Sequence, residues 1–572
     1  MHTLFPRPLR LAVLAPAVVA VLAACGGGGS SPSSPAQAMG AMNVQVTDAP
    51  TRDFDHVWVT ISEVDFHTSN AASPNDPGWL KYPVPATPVD LAALTNGSLA
   101  AVLPTTQLPV GTYQQIRLQL LSDTDPLASA AQSAGLAFND QVNWTDAAGA
   151  AHVSPLQIPA ARDGITLVGS FAVSATAQAN LVIDFDVGAD VVKFAHGSAN
   201  SYLLKPLLHY FDLGQAGGIA GNVDTTHLCT ALSSASPVNC AYNLVVKAEE
   251  MSADGTHHAV VRATTVRPDG SFLLYPVPIP PGSTSVNVDV LIRGRNMDTI
   301  LVRNVSMGPW APGGAAGTST APVSLNPTTA PIPLVIDAEY TANASPGLNP
   351  TGAWVNFFQT VPGNGEVPYE VRFRHANPFT GTFTDSIELS AGPLQVMSYV
   401  AGAAPNPQPV VPAELDGGFQ AFAGARYFAR TAASSGNVVP PAQGAAQPVL
   451  FTIPAMAVDS TVASADSISG TITQATAGKY DQGFLLVVHR GAIVDTIPLA
   501  ATLAANGGTG GAYSIANMPG GSSTKALPDA YYRLTGWVWK STDPALSVTR
   551  VDFGTLVDLR TGSAAGINAT LN

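Results

Sequence analysis

Three aspartates have the residue type and spacing of a calcium site. Asp184 and Asp186 lie two residues apart in an alternating segment, so on a strand both carboxylates point to one face, roughly 7 Å apart. Asp48 follows an earlier alternating segment, and no lysine or arginine follows Asp186 before Lys193. Such hard oxygen ligands suit calcium. In the alternative, Asp184 and Asp186 form the solvated face of a strand and Asp48 caps a turn, because the dense D-x-D-x-D-G order is missing.

Cys25 ends a segment that is typical of an exported protein. Residues 1–10 carry two arginines and no acid, and the apolar run 11–22 is too short to cross a bilayer but suits a signal peptide. The ending Leu-Ala-Ala-Cys resembles the lipobox of bacterial lipoproteins, and the Gly/Ser-rich stretch after it is typical of a tether. The resemblance implies lipidation of Cys25. An ordinary secretory signal is the alternative. Because Gly26 is not aspartate, we expect the outer membrane.

Cys229 and Cys240 are the two cysteines that remain. In an oxidising compartment an isolated pair predicts a disulfide, here around a loop of small residues. Closing a loop of this length contributes about 3 kcal/mol in the chain-entropy model. Two thiolates alone fall short of the four ligands of a structural zinc site.

Motifs for catalysis are missing from the sequence. It contains no G-x-S-x-G, no H-E-x-x-H and no phosphate-binding glycine loop. His257 and His258 lie in a polar stretch, which predicts solvated loop histidines. A glycosidase would need two carboxyl groups facing one cleft, which the sequence cannot identify. We therefore predict a protein that is not an enzyme.

The composition limits the possible partners. Charged residues make up only 11% of the chain and the formal net charge is −14, which argues against nucleic acid and anionic lipid surfaces as partners. Hydrophobic residues make up 46%, which is ample for packed cores. The membrane is expected as a partner only through the lipid on Cys25.

The dominant period of the sequence is two, which is typical of β-strands. Val57, Val59 and Ile61 alternate with polar residues, and Val64 and Phe66 continue in the opposite phase. This one-residue slip predicts a β-bulge near residues 62–63. Many short alternating segments between Gly/Pro/Asn clusters predict an all-β chain of sandwiches.

Several spaced blocks in the N-terminal third resemble a known bacterial lipoprotein domain, the domain of unknown function 4382. The blocks are 46–50 (VTDAP), 57–61 (VWVTI), 89–97 (VDLAALTNG), 108–118 (LPVGTYQQIRL), 183–186 (IDFD) and 202–206 (YLLKP). They occur in the family's order within residues 40–212. The resemblance implies an envelope-facing β domain and carries no activity to transfer.

Two later segments share a G-x-[VI] … G-x-[FY]-x-[LI] layout, which looks like small transthyretin-like sandwiches. It occurs at 219–223 with 269–274, and again at 468–472 with 511–515. We predict immunoglobulin-like or transthyretin-like sandwiches in tandem. The predicted segments are a signal peptide (1–24), a tether (25–39), the N-terminal β domain (40–212), a sandwich (214–320), a β-rich segment (321–461) and a C-terminal sandwich (462–572).

These observations favour a lipid-anchored envelope protein that acts as a binding or structural module for a glycan, a protein or another envelope component. The alternative is an envelope hydrolase acting on polysaccharide or peptide through a site built from loops. The missing motifs and the modular layout favour the first class, because function must be argued from a site.

Overall fold

The computed structural model divides the chain into two compact units, Met1–Ala38 and Met39–Asn572. The residues that it describes are 37–49, 54–146, 148–159, 161–196, 199–206, 208–225, 244–294, 299–309, 312–325, 332–336, 338–339, 353–361, 367–375, 382–383, 386–389, 394–403, 406–415, 418–438, 449–523, 525, 527–543 and 549–572. The second unit is almost entirely β-structure in these ranges, which confirms the predicted fold class.

Module 1 comprises residues 39–212. Its strands are β1 (Met39–Ala49), β2 (His56–His67), β3 (Leu80–Pro83), β4 (Pro88–Asp90), β5 (Ala100–Pro109), β6 (Gly111–Leu120), β7 (Gln141–Thr145), β8 (Ala151–Gln157), β9 (Ile165–Val173), β10 (Ala179–Asp186), β11 (Val191–His196), β12 (Ala199–Leu204) and β13 (His209–Asp212). Short helices α1 (Ser129–Ser133) and α2 (Val187–Asp190) and two 3₁₀ turns (Leu91–Ala93 and Leu213–Gln215) complete the module.

Modules 2, 3 and 4 comprise residues 216–325, 332–458 and 466–572. Module 2 contains β14 (Ala216–Asn222), β15 (Leu244–Met251), β16 (His258–Thr265), β17 (Ser271–Pro278), β18 (Val286–Gly294), β19 (Thr299–Met307) and β20 (Pro312–Ala316). Module 3 contains β21 (Ile332–Ile336), β22 (Ala338–Glu339), β23 (Trp354–Gln359), β24 (Tyr369–His375), β25 (Thr382–Phe383), β26 (Ser386–Leu389), β27 (Leu394–Ser398), β28 (Gln408–Leu415), β29 (Phe419–Gly424), β30 (Thr431–Ala432) and β31 (Val449–Phe451). Module 4 contains β32 (Asp466–Gln474), β33 (Gln482–His489), β34 (Ala492–Pro498), α3 (Ala500–Gly508), β35 (Gly510–Met518), β36 (Tyr531–Trp539), β37 (Thr549–Asp558) and β38 (Ala569–Leu571).

The four modules share one strand topology. In modules 2 and 4 the first strand pairs in parallel with the last strand and antiparallel with the fourth, and a second sheet has the order third–second–fifth–sixth. Modules 1 and 3 have the same arrangement with further strands inserted, and in module 1 the parallel partner β10 is followed by β11, β12 and β13. The first sheets contain β5-β1-β10, β17-β14-β20, β26-β21-β31 and β35-β32-β38. The second sheets contain β3-β2-β6-β9, β16-β15-β18-β19, β24-β23-β29-β30 and β34-β33-β36-β37. The prediction of tandem sandwiches is confirmed, and both G-x-[VI] segments are first strands that pair with the predicted G-x-[FY] strands.

The modules are joined by shared sheets and cores. One ten-stranded sheet runs from β28 through module 2 into module 3, so it crosses the predicted boundary between 214–320 and 321–461. The crossing arises because the β27–β28 hairpin of module 3 pairs with β19, and β16 pairs with β24. Apolar side chains of modules 3 and 4 form one core cluster, and three residues of module 4 (Leu486, Val488 and Ile493) pack into the core of module 1.

Two details of the alternation in module 1 can be checked directly. The pairing of β2 with β6 slips between Ile61 and Glu63, which confirms the predicted bulge. Arg117, in contrast, lies between the core residues Ile116 and Leu118, so the alternation predicts that it faces outward. It is nevertheless only 1% exposed. Its guanidinium is covered by the Trp79 ring at 4.1 Å and donates to Asp65, so the outer face of β6 is buried there by the loop after β2.

Candidate functional site

The predicted aspartates lie at the junction between modules 1 and 2, where Arg262 enters from β16. Its Nη1 donates to Asp184 Oδ1 at 2.5 Å, and its Nη2 donates to Thr47 Oγ1 at 2.6 Å and to the Asp48 carbonyl oxygen at 2.8 Å. The Arg262 side chain is 1% exposed. The parallel pairing of β1 with β10 sets Thr47 opposite Asp184, which brings these acceptors together.

The aspartate carboxylates are engaged by protein groups rather than left open for an ion. Asp48 Oδ1 accepts the Val187 N–H at 2.8 Å, and Asp186 caps α2 by accepting the Ala189 N–H at 3.1 Å. Burial, together with nearby Asp186, raises the pKa of Asp48 well above its ordinary value. Among the described residues, no three His, Cys, Asp or Glu side chains are arranged to hold a metal ion. The premise of the calcium prediction, an absence of nearby cations, is therefore wrong because Arg262 neutralises Asp184.

A second buried arginine connects module 4 with module 1. Arg533 Nε and Nη2 donate to the two carboxylate oxygens of Asp163 at 2.6 and 2.7 Å. Such a bidentate pair fixes orientation as well as charge. The cavity beside it, which Thr166 and Arg490 also line, has a volume of about 10 Å³, which is room for one water and not for a sugar or peptide group.

The junction between modules 3 and 4 is a buried polar chain. His489 Nε2 contacts Asp529 Oδ2 at 3.2 Å, and its Nδ1 hydrogen-bonds the Tyr427 hydroxyl. Burial lowers the pKa of His489 to about 4, so the ring is neutral at pH 7. Its side chain is 1% exposed, and Arg490 also pairs with Asp529. A Tyr–His–Asp series so placed joins the two modules through buried polar contacts.

The junction between modules 2 and 3 contains two buried glutamates, Glu249 and Glu370. The Glu370 N–H donates to Glu249 Oε2 at 2.9 Å, and both residues are buried within the sheet rather than facing a cleft. The neighbouring His257 and His258 are not the solvated loop residues that the sequence predicts. His258 stacks on Tyr369 with ring centroids 3.9 Å apart, because module 3 covers the turn before β16.

Comparison with known families identifies only the N-terminal part. Residues 39–206 match the family model described as "Domain of unknown function (DUF4382)". This confirms the resemblance inferred from the spaced blocks. The DUF4382 domain thus coincides with most of module 1. No curated protein matches the chain.

Several solved structures show a detectable likeness to the chain. The Bacillus anthracis TIE protein is 8% identical, with 95% of this chain and 75% of that chain covered and a TM-score of 0.15. The pilus adhesin SpaC from Lactobacillus rhamnosus GG is 10% identical, with 90% and 55% covered and a TM-score of 0.12. A Streptococcal ancillary pilin is 8% identical, with 62% and 99% covered and a TM-score of 0.12. Likeness at these scores carries no inference about function.

Two of the sequence blocks of the DUF4382 domain provide the acceptors of Arg262. Thr47 and Asp48 belong to the block 46–50, and Asp184 belongs to the block 183–186. Arg262 itself was not predicted from the sequence. The available signal was a lone charged residue inside the apolar strand β16, where burial demands a partner.

Three predicted residues lie outside the described part of the chain: Cys25, Cys229 and Cys240. Their lipidation and disulfide therefore stay predictions. Within the described ranges, no helix has the length and apolar character needed to cross a membrane.

Proposed function

We propose that the protein is a lipid-anchored cell-envelope protein whose four modules form a rigid binding or structural body. The observation that supports rigidity is the Arg262 junction, where one buried guanidinium joins two modules through three acceptors. Domains that move relative to each other usually meet through small, polar and solvated interfaces. The junctions here are buried and ion-paired, and the sheet between modules 2 and 3 is continuous.

The anchoring part of the proposal rests on the sequence of residues 1–32. A lipidated Cys25 would hold the body at the outer membrane, since several acyl chains retain a protein where one chain binds only marginally. We propose an envelope glycan or protein as the partner, because the low charge density argues against polyanions.

Cell fractionation with the full-length chain tests the anchor. Cys25→Ala is expected to move the protein from the membrane fraction to the soluble fraction and to remove the acyl mass from its N-terminal peptide. Ser31→Ala in the same stretch serves as the control and should fractionate as the wild type does. Membrane retention of Cys25→Ala, with no difference in peptide mass, would contradict the proposal.

A further inference from the structure

The outer face of module 1 presents one tryptophan among fixed polar side chains. Val57 and Val59 point into the core, so the alternation of β2 directs His56 and Trp58 to the other side. The register sets Trp58 between Asp90 on β4 and Gln141 on β7, and it sets His56 beside Asn143. The Trp58 face comprises the outward side chains of β4, β2, β7 and β8, which are His56, Trp58, Asp90, Asn143 and Val153.

This face is open to solvent at one end. The His56 side chain is 51% exposed, and Val153, which pairs with Asn143, is also 51% exposed. Trp58 is partly exposed at the inner end of the same face. Its ring centroid lies 6.1 Å from that of His56, and the two planes are inclined by 31°. The apolar indole ring of Trp58 therefore lies beside polar side chains on one surface of the sheet.

The polar groups of the face are held in place by bonds behind them. His56 Nδ1 lies 2.7 Å from Asp90 Oδ2, and Asp90 Oδ1 accepts the Val57 N–H at 3.1 Å. Because Asp90 requires a donor, Nδ1 carries the proton, and in the neutral ring Nε2 is an acceptor. His56 is therefore oriented, and its Nε2 makes no hydrogen bond to the residues that the structure describes.

Asn143 is fixed in a complementary way. Its Oδ1 accepts the Gln141 Nε2–H at 2.8 Å, and Gln141 is itself held by the Ala137 N–H at 2.9 Å. In the part of the chain that the structure describes, Asn143 Nδ2 makes no hydrogen bond and remains a free donor. A polar surface that only contacts water would not need its side chains to be fixed by the Gln141–Asn143 and Ala137–Gln141 hydrogen bonds. Groups fixed before binding lose little freedom when a ligand arrives.

We propose that the Trp58 face binds a hexose unit of a neutral envelope glycan. The apolar C–H side of the sugar ring packs on the indole, and its hydroxyl groups bond to His56 Nε2 and Asn143 Nδ2. An aromatic plate with a few fixed polar groups is the usual composition of a small-molecule site. The proposal rests on the binding function above and specifies the ligand class.

The charges on the face favour a neutral ligand over an ionic one. Asp90 is paired with His56, and the neighbouring Asp55 accepts a hydrogen bond from the Thr145 hydroxyl at 2.7 Å. Lysine and arginine are absent from the outward positions of β4, β2, β7 and β8, so an anionic partner has no counter-charge there. A peptide partner would instead require an apolar groove, whereas this surface is a sheet face with a single large aromatic ring.

Saturation-transfer difference NMR on the full chain tests the proposal with two probes, chitotetraose and cellotetraose. We expect transfer to the axial C–H protons of at least one probe. Trp58→Ala is expected to weaken binding at least tenfold, and His56→Ala or Asn143→Ala severalfold. Trp79→Ala is the matched control. Trp79 is also partly exposed in module 1, but its indole N–H is used by the Ser73 carbonyl.

Two results would overturn the proposal. One is the absence of transfer to both probes, and the other is undiminished binding by a Trp58→Ala variant. A melting temperature within 2 °C of wild type is required of each variant, and Trp58→Leu, which keeps apolar bulk without a ring, replaces Trp58→Ala if that variant melts lower. Failure here leaves the fractionation and calorimetry results unaffected, so loss of the glycan site and loss of the envelope role are distinguishable.

Discussion

Arg262 shows how one side chain can decide whether two modules behave as one. Its guanidinium is buried with the Asp184 carboxylate and two neutral acceptors, and removing one partner of such a pair leaves an uncompensated charge. We expect Arg262→Met to lower the free energy of unfolding by about 3 kcal/mol, at the low end for buried pairs because Asp184 retains solvent contact. Chemical denaturation measures this value.

Arg267→Met is the control for that experiment. Arg267 lies at the same junction, donates to the Asn96 carbonyl oxygen at 3.3 Å and is exposed, so its loss should change stability by less than about 0.5 kcal/mol. The double variant Arg262→Met/Asp184→Leu should recover part of the loss, because both charges are then removed. Equal stability of Arg262→Met and wild type would show that the junction contributes nothing.

Asp140 is expected to make the free energy of unfolding depend on pH, and a single substitution can isolate its contribution. The residue is fully buried, and its Oδ1 accepts the Thr60 N–H at 2.8 Å. Burial raises the pKa of Asp140 well above its ordinary value, and the charges of Asp123 and Asp125 add to the effect. In the window between the unfolded and folded pKa values, the folded state holds a proton that the unfolded state has released. The free energy of unfolding therefore falls as pH rises through this window.

We expect Asp140→Asn to reduce this slope by up to about 1.4 kcal/mol per pH unit above pH 4.5, because an amide does not titrate. Denaturation midpoints from pH 4.5 to 7.5 measure the slope. Asp254→Asn is the control: Asp254 is exposed and hydrogen bonds from Ser252 and Thr256 lower its pKa, so it does not titrate in this range. Parallel curves for wild type and Asp140→Asn would contradict the expectation.

At the scale of elements, close approach of neighbouring chain segments explains why glycine occupies the first position of the G-x-[VI] pattern. A Cβ on Gly470 would overlap the Ile567 carbonyl oxygen, and a Cβ on Gly221 would overlap the Phe272 ring. Both glycines lie on a first strand, where neighbouring strands pass closely over the backbone. Both glycines therefore lie inside strands and not at turns.

We expect Gly470→Ala to destabilise module 4 by about 2 kcal/mol, as overpacking in a dense region does. The measurement is the melting temperature of the full chain. Gly111→Ala is the matched control, since a Cβ there meets no atom within 4 Å, and it should be neutral. A Gly470→Ala protein that melts with the wild type would mean that the last strand moves aside freely.

The alternation of apolar and polar residues was sufficient to predict the presence of strands, the bulge after Ile61 and the class of fold. It was insufficient to predict the burial and pairing of side chains whose partners come from a distant segment of the chain. Arg117 has the period of an outward-facing residue, but a covering loop and Asp65 bury it. The same limit applies to the premise of the calcium prediction, because Arg262, which pairs with Asp184, lies 78 residues along the chain from it. The alternation of apolar and polar residues along a strand shows which face of the sheet a residue occupies. It does not show which distant segment covers that face.

At the scale of the whole molecule, the buried contacts between module 4 and module 1 predict that the modules unfold cooperatively. Module 1 contacts module 2 through Arg262 and module 4 through Arg533. We expect differential scanning calorimetry of the full chain to give one transition for the described body, because no module can unfold without breaking a buried junction.

The double variant Arg262→Met/Arg533→Met should separate a transition for module 1 from the others. Arg560→Met, which removes the partly exposed pair with Asp76 at 3.3 Å, is the control and should keep one transition. Separate transitions already present in the wild type would mean that the modules are independent, and would contradict the rigid body that we propose.

The pairing of first and last strands also determines how the protein responds to mechanical tension. In modules 2, 3 and 4 the first strand lies parallel to the last and is hydrogen-bonded to it. A pull that enters a module at its first residue and leaves at its last therefore slides these two strands past each other. All the hydrogen bonds between them must then yield together, whereas in an antiparallel pair they would open one at a time. Tension applied at the two ends of the chain would therefore meet this resistance in modules 2, 3 and 4.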